Sequence, residues 1–209
     1  MEQNMNLREY IDWCDTIDCY KDSDQYGDTD SWAYTNCPLT DSERKHILQL
    51  YEKKIKPNIE DISVKGDEGY DHIYNDVLQA WADRQYKSNI RSCGCGQFSR
   101  VEAKIQVQQP GEQCDPHIDL LPGFLDKICQ ERPALNYVKH SLQRPAVECF
   151  RIFIALEDHV DGQIFDINGH QWKWRAGDQI KMNPWTAIHY TKNVSDIPRP
   201  LIKITGARY

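Results

Sequence analysis

The fold is decided by Glu148-Cys-Phe-Arg-Ile-Phe-Ile-Ala-Leu156 and by the short apolar segments that follow it. Turn signals recur after this stretch at Asn168-Gly169 and at Ala176-Gly-Asp178, and the last strand-like run is Leu201-Ile-Lys-Ile-Thr205. Short strands separated by such turns at intervals of about eight to twelve residues are typical of a sandwich or jelly roll. We therefore predict a mainly β core in this part of the chain.

A candidate site lies beside two of these strands. The alternating run Val101-Glu-Ala-Lys-Ile-Gln-Val-Gln-Gln109 ends at Pro110-Gly111 and is followed by His117-Ile118-Asp119. In an extended segment, residues two apart point to the same side, so His117 and Asp119 can reach one ion while Ile118 packs away. A second histidine, His189, lies in another short β-type run.

Two imidazoles and one carboxylate are the ligands that hold a non-haem Fe(II) and leave further positions open. His117, Asp119 and His189 are therefore the candidate metal ligands and catalytic residues. A lone His-x-Asp pair arises often by chance, and His189 alone could equally be a histidine satisfied within a strand. The ordered set of strands around the three residues favours the metal.

These features resemble the Fe(II)/2-oxoglutarate-dependent oxygenases. Residues 104–206 are most similar to the aspartyl/asparaginyl β-hydroxylase and prolyl hydroxylase type. The resemblance implies a double-stranded β-helix (jelly roll) with a helical annex, and a hydroxylase that uses Fe(II), 2-oxoglutarate and O₂. Asp119 departs from the aspartyl hydroxylase group, where this position is often not acidic. The matching features are Gln109-Pro-Gly111, Pro116-His117, Arg151, Trp174-Arg-Ala-Gly-Asp178, His189, Asn193 and Arg199.

The resemblance also implies how 2-oxoglutarate is bound. Arg199 stands where the family's cosubstrate arginine stands, and a guanidinium suits a bidentate pair with the distal carboxylate. Lys203 could serve instead. Gln106 shares a strand face with Gln108 and Lys104 and could hydrogen bond to cosubstrate or product. Polar residues on the outer face of an edge strand would look the same.

Arg151 is a cation inside an otherwise apolar strand. A guanidinium there is costly unless an anion meets it. The resemblance implies the C1 end of 2-oxoglutarate or an acidic group of the substrate as that anion. A pairing with Glu148 or Asp166 would explain the same residue.

We expect one domain over residues 1–209, with a loop-rich arm and bracing helices in residues 1–95 and the catalytic β-helix in residues 96–209. Thr40-Asp-Ser-Glu43 is a capping box for a helix that ends by Pro57, and a second helix is predicted over 69–85. The segment 1–38 could be an arm over the substrate opening or a surface segment.

A further insert, residues 120–145, follows the candidate site. It could close over the site with Phe124, Leu125, Ile128 and Tyr137, or it could be a solvated helix. This insert is locally basic and the arm is acidic, so the two could also pack on each other.

The composition restricts the function. The net charge of −7 argues against a nucleic-acid partner. There is no apolar run that could span a bilayer, and the first ten residues lack the apolar segment of a signal peptide. The eight cysteines include no Cys-x-x-Cys pair. We expect a cytoplasmic protein with mostly free thiols, because that compartment also keeps iron ferrous.

The sequence therefore favours a dioxygenase that hydroxylates an amino-acid side chain, with release of succinate and CO₂. A protein or peptide substrate is preferred over a free amino acid or other small metabolite. The alternative is a non-catalytic jelly-roll binding module in which the histidines and Asp119 are structural. The presence of Arg199 with all three ligands favours the enzyme.

Overall fold

The computed structural model describes residues 38–57, 71–87, 98–132 and 148–209 in full, and residue 58 by its backbone. It also describes the backbone of five short strands outside those ranges, at residues 5–6, 34–36, 64–65, 137–139 and 144–145. None of the helices in the described residues has the length and hydrophobicity that a membrane span requires.

The described part of the chain contains three α-helices and a larger number of strands. The helices are α1 (Asp41–Leu50), α2 (Asp76–Tyr86) and α3 (Pro122–Glu131); a π-helix (Tyr51–Ile55) and a 3₁₀ turn (Lys56–Asn58) continue α1. The strands are β1 (Met5–Asn6), β2 (Tyr34–Asn36), β3 (Val64–Lys65), β4 (Asp71–Ile73), β5 (Arg100–Gln108), β6 (Gln113–His117), β7 (Tyr137–Lys139), β8 (Arg144–Pro145), β9 (Glu148–Ala155), β10 (Gln163–Ile167), β11 (His170–Gln171), β12 (Gln179–Met182), β13 (His189–Asn193) and β14 (Arg199–Arg208).

The central strands form a double-stranded β-helix, which confirms the predicted fold. A large antiparallel sheet has the order β2-β12-β9-β14-β5-β4-β3, and a small one has the order β11-β10-β13-β6. From β5 onwards the chain passes repeatedly from one of these sheets to the other, so the two wind into a jelly roll. A third small sheet pairs β1 with β7 and β7 with β8.

The predicted Asn168-Gly169 hairpin is confirmed. It joins β10 to β11, with Ile167 opposite His170. Both turn residues have positive φ, 52° and 81°, as a two-residue hairpin of the mirror-image type requires. Asp166 Oδ1 accepts a hydrogen bond from the Gly169 N–H at 2.8 Å and closes the turn.

Helices α1 and α2 pack on the outer face of the large sheet. The capping box of α1 is confirmed, because Thr40 and Glu43 bond to each other's backbone N–H groups. Arg44 ties this helix to the turn before β12, through Asp178 at 2.9 Å and the carbonyl of Ala176 at 2.9 Å. The apolar side chains between helices and sheet are buried; they include Ile47, Tyr51, Leu78, Trp81, Ile73, Ile105, Ile152, Ile154, Ile202 and Ile204.

The second helix starts later in the chain than predicted. It begins only at Asp76, after Asn75, whose Oδ1 accepts from the N–H groups of Val77 and Leu78. The preceding segment is strand β4, which pairs with β5 from Asp71 opposite Val107 to Ile73 opposite Ile105. This segment forms backbone hydrogen bonds with the edge of β5, and it therefore does not form a first turn of the helix.

The N-terminal arm and the insert after α3 are partly described. Met5 lies opposite Val138, so the beginning of the arm pairs with the insert, one of the arrangements left open by the sequence. Strand β2 from the end of the arm pairs with β12 at the edge of the large sheet. The predicted helical annex is confirmed by α1 and α2, which follow β2 in the chain. The rest of residues 1–37 lies outside the described residues.

Candidate metal centre and its cavities

The structure brings His117, Asp119 and His189 together. His117 ends β6, and His189 begins β13 directly opposite it in the small sheet. One donor atom from each of the three residues lies within 4.8 Å of the others. The Nε2 atom of each imidazole is 3.9 Å from a carboxylate oxygen of Asp119. The two halves of the candidate site, 72 positions apart in sequence, therefore form one cluster.

Both imidazoles are oriented by the local backbone. Nδ1 of His117 donates to the carbonyl of Asp115 at 2.7 Å, and Nδ1 of His189 donates to the carbonyl of Ala187 at 3.0 Å. A carbonyl oxygen can only accept, so the proton lies on Nδ1 and the lone pair on Nε2. Both lone pairs then face Asp119, which is the tautomer that binds a metal through Nε2.

The charges in the cluster favour the protonation states that a metal needs. Burial would raise the pKa of Asp119, but the positive charges of Arg151 and Lys203 lower that pKa well below its usual value. Burial, together with the neighbouring His117, lowers the pKa of His189 to about 3. A carboxylate and a neutral imidazole therefore coexist here, as metal binding requires.

Arg151 contacts a partner that neither sequence interpretation named. Its Nε donates to Oδ2 of Asp119 at 2.8 Å, and its Nη1 donates to Oγ1 of Thr205 on the neighbouring strand. The pairing with Glu148 or Asp166 is wrong. The arginine instead fixes one oxygen of the candidate ligand carboxylate, which is 11% exposed, and leaves the other directed towards His117.

The backbone beyond Asp119 turns sharply away from the cluster. The Asp119 N–H donates to the carbonyl of Pro184 at 2.8 Å, which anchors the segment to the turn before β13. Leu121 then has φ 64°, a left-handed conformation rare for leucine, and α3 begins at Pro122. This reversal directs the chain into α3, whose first residues border the larger cavity described below.

A small cavity lies on the inner side of the cluster. It measures about 10 Å³, roughly the space for one water molecule. Gln106 lines it and is buried, contrary to the outward edge position left open by the sequence, and its Nε2 donates no hydrogen bond to any described residue. Arg199, 2% exposed, also lines it and donates to the carbonyl of Ile164 at 2.8 Å. The lining is His117, His189, Gln106, Thr191, Arg199, Lys203, Phe153, Phe165 and Leu201.

A larger cavity of about 690 Å³ opens on the other side of the cluster. Its walls come from β5, β9, β14, the segment 117–121 and the start of α3, with Tyr74 and Gln79 at the side of α2. His117 and Lys203 line both cavities. The candidate metal centre therefore lies between a narrow pocket and a wide one.

Helix α3 of the insert after Asp119 does not form a simple lid over the site. Leu125 and Ile128 of α3 are fully buried against Trp185, Cys149 and neighbours, so they form a small core instead of closing over the site. Phe124 is buried in the same core and also lines the larger cavity. The side chain of Tyr137 lies outside the described residues.

None of the described cysteines forms a disulfide with another described residue, in agreement with the prediction of mostly reduced thiols; they are Cys114, Cys129 and Cys149. The thiol of Cys114 is buried, with Sγ 3.6 Å from Nδ1 of His117. It packs against the candidate ligand, in agreement with the interpretation of a packed thiol.

Several cavity residues were not assigned to the site from the sequence, and Thr205 and Lys104 are two of them. Thr205 bonds to Arg151, and Lys104 lines the larger cavity. The alternation of β14 could have revealed the first, because Arg199, Lys203 and Thr205 are separated by even numbers of residues and so share a face.

The comparisons with known proteins agree with the fold. No protein-family model matches the sequence, and no curated protein matches it. A crystal structure of a Pseudomonas putida prolyl-4-hydroxylase aligns with 91% of this chain and 97% of that chain, with a TM-score of 0.53 and 10% identity. The non-heme α-ketoglutarate-dependent carbocyclase SnoK from nogalamycin biosynthesis aligns over 93% and 85%, with a TM-score of 0.53 and 13% identity. At these identities the likeness shows a shared fold.

Proposed function

We propose that this chain is an Fe(II)- and 2-oxoglutarate-dependent dioxygenase. It hydroxylates an amino-acid side chain in a protein or peptide and releases succinate and CO₂. Proteins with the same fold include one named as a prolyl-4-hydroxylase and one named as α-ketoglutarate-dependent, where α-ketoglutarate is 2-oxoglutarate. The fold is therefore one on which this chemistry occurs.

The observation that carries the proposal is the convergence of His117, Asp119 and His189 between the two cavities. Two neutral imidazoles with one carboxylate are the donor set of non-haem Fe(II) oxygenases, in which three protein ligands leave the other positions open. A jelly-roll binding module has no need of this set, oriented by two separate carbonyl groups and bordered by a cavity on each side.

The residues present fit Fe(II), so His117, Asp119 and His189 would hold it. With 2-oxoglutarate and O₂, the bound iron supplies the oxidising power for hydroxylation. The chain contributes orientation: the carbonyls of Asp115 and Ala187 fix both rings, and Arg151 fixes the carboxylate of Asp119. Because Arg151 takes up Oδ2, we expect Asp119 to act as a ligand through Oδ1.

The cosubstrate is assigned to the inner side of the cluster. Arg199 offers a guanidinium for the distal carboxylate, with Lys203 as the alternative cation, and the buried Nε2 of Gln106 is a donor available to an oxygen. The small cavity holds about one water molecule, so lining side chains must move when 2-oxoglutarate binds.

The primary substrate is assigned to the larger cavity, whose size suits an amino-acid side chain with part of its chain. Leu120 and Phe124 contribute apolar side chains to its wall. A free amino acid or other small metabolite is the alternative substrate, and it would enter the same cavity.

Anaerobic addition of Fe(II) and 2-oxoglutarate tests the proposal. A weak visible charge-transfer band is expected from the chelated complex, and it should be absent when either component is left out. A protein that gives no band and binds no divalent metal would be a binding module. Mass spectrometry of treated peptides and metabolites then separates the two substrate classes by where one oxygen is gained.

A further inference from the structure

Two lysines face each other in the wall of the larger cavity. Lys104 of β5 and Lys203 of β14 are direct partners in the antiparallel ladder, so their side chains project from the same face of the sheet. Both line the cavity, and Lys203 is only 6% exposed. Lys104 Nζ also lies 3.3 Å from the ring nitrogens of His72 and 5.9 Å from the centre of the Tyr74 ring. Two ammonium groups are thereby brought side by side in the cavity wall.

The acidic residues of the cavity wall are already engaged. Glu102 accepts from Lys127 at 2.8 Å and from Arg100 at 3.0 Å. Asp119 accepts from Arg151 at 2.8 Å and is also attracted by the charge of Lys203. The described lining holds four basic side chains and two carboxylates, although the whole chain has a net charge of −7; the four are Lys104, Lys127, Arg151 and Lys203.

Three basic residues near the metal cluster differ in which cavity they line. Arg199 lines only the small cavity, Lys104 lines only the larger one, and Lys203 lines both. Two anionic groups can therefore be held on opposite sides of the metal cluster. The distal carboxylate of the cosubstrate is assigned to Arg199 in the small cavity. The larger cavity, beside Lys104, has as yet no assigned anionic ligand.

We propose that Lys104 and Lys203 form an anion subsite that binds a carboxylate of the primary substrate. Two ammonium groups on adjacent strands can donate to the oxygens of one carboxylate, which offsets their mutual repulsion. The substrate is then a carboxylate-bearing molecule or an acidic residue, with its reacting carbon on the side of His117. This inference rests on the proposed function, because the cavity is a substrate cavity only if the adjacent cluster is catalytic.

A pair of matched probes tests the subsite. The protein is loaded with Mn(II) and saturating 2-oxoglutarate, which blocks turnover and fills the cosubstrate site. Glutarate and its uncharged analogue glutaramide are then titrated by calorimetry. We expect glutarate to bind and glutaramide to bind about tenfold more weakly or worse, since only the dianion offers charge-assisted hydrogen bonds.

Substitutions locate the binding. Lys104→Met keeps the apolar stem and should weaken glutarate binding by about ten- to a hundredfold, while Lys104→Arg should restore part of it. Lys192→Met removes an exposed lysine of β13 and serves as the charge-matched control, with glutarate binding unchanged. Arg199→Ala should have the reciprocal effect, weakening 2-oxoglutarate by about thirtyfold or more.

Three results would overturn the proposal. These are failure of wild-type protein to bind glutarate, an unchanged glutarate affinity in Lys104→Met, and a loss of 2-oxoglutarate affinity in that variant as large as the loss for glutarate. The last result would assign the lysine pair to the cosubstrate. Failure of the proposed function is a separate observation, because Mn(II) and 2-oxoglutarate then do not bind at all. Glutarate titration of the metal-free Arg199→Ala variant still reports on the lysines in that case.

Discussion

Strands β5, β9 and β14 carry different kinds of side chain on their two faces. Towards the helices they present Ile105, Ile152, Ile154, Ile202 and Ile204, all completely buried and apolar. Towards the barrel interior the same strands present polar and charged side chains: Arg151, Lys203, Thr205, Gln106, Gln108 and Arg199. One residue further along the chain moves a side chain from the first set to the second. The outer face packs against the helices, and the inner face carries the candidate chemistry.

The strongest test of this division is to remove a candidate ligand. His189→Ala should abolish Fe(II) binding and all conversion of 2-oxoglutarate, since two remaining ligands leave the ion without its third donor. The fold should survive, and circular dichroism would verify this. His46→Ala, at an exposed position of α1, is the matched control and should behave as wild type. Normal cosubstrate turnover in the His189 variant would show that the metal assignment is wrong.

The outer face should respond in the opposite way. Ile204→Ala creates a cavity between β14 and the helices, and should lower the free energy of unfolding by about 2–5 kcal/mol. Chemical denaturation measures this loss. Protein that remains folded should bind Fe(II) with unchanged affinity, because Ile204 points away from the cluster. A large change in metal affinity at unchanged stability would break the division between the two faces.

The adjacent residue sharpens the comparison. Thr205→Val keeps the shape of the side chain but removes the oxygen that accepts from Arg151. We expect a smaller loss of stability, about 1.5–3 kcal/mol for a hydrogen bond to a charged group, and a fall of about tenfold in Fe(II) affinity because Asp119 loses part of its support. Titration with Fe(II) measures the affinity and chemical denaturation measures the stability, so the two effects can be separated. If Fe(II) affinity stays at the wild-type value, Arg151 holds Asp119 without help from Thr205.

The smallest effect is expected at the mouth of the larger cavity. Burial would raise the pKa of Glu102, but hydrogen bonds from Lys127 and Arg100 bring it below its ordinary value of 4.5. A depressed carboxyl pKa stabilises the fold above the unfolded-state pKa and loses that contribution as pH falls through the folded-state pKa. Glu102→Gln should cost at most about 1 kcal/mol near neutral pH, because the partners are partly exposed. Urea titrations of both proteins should converge at acidic pH; a difference that grows on acidification would contradict the assignment.

The features that could be predicted from the sequence depend on the alternation of side chains along a strand and on the residues of turns and caps. The two-residue spacing of His117 and Asp119, the hairpin at Asn168-Gly169 and the capping box at Thr40 are all local patterns. The sequence did not predict the contact between Arg151 and Asp119. That contact requires β9 to lie beside β14 across the barrel from the end of β6, and strand order is not encoded in the spacing of residues within one strand.

The start of α2 shows a second limit. Tyr70, Ile73 and Tyr74 continue the apolar stripe of the helix, so periodicity extends the helix backwards to Gly69. The structure stops it at Asn75, because the side chain of that residue caps the helix and β5 offers a free edge to β4. Capping by asparagine was visible in the sequence, whereas the free edge appears only once the sheet is assembled.

The isoleucine face of the large sheet also limits what can be produced separately. Helices α1 and α2 end before Gln97, and most of the sheet that they cover comes after it. A fragment of residues 96–209 would lose both helices and the β4 neighbour of β5, exposing a continuous apolar surface beside an unpaired strand edge. Such surfaces associate with other copies, so the fragment should aggregate. We therefore expect the boundary near residue 95 to separate two kinds of sequence within one folding unit.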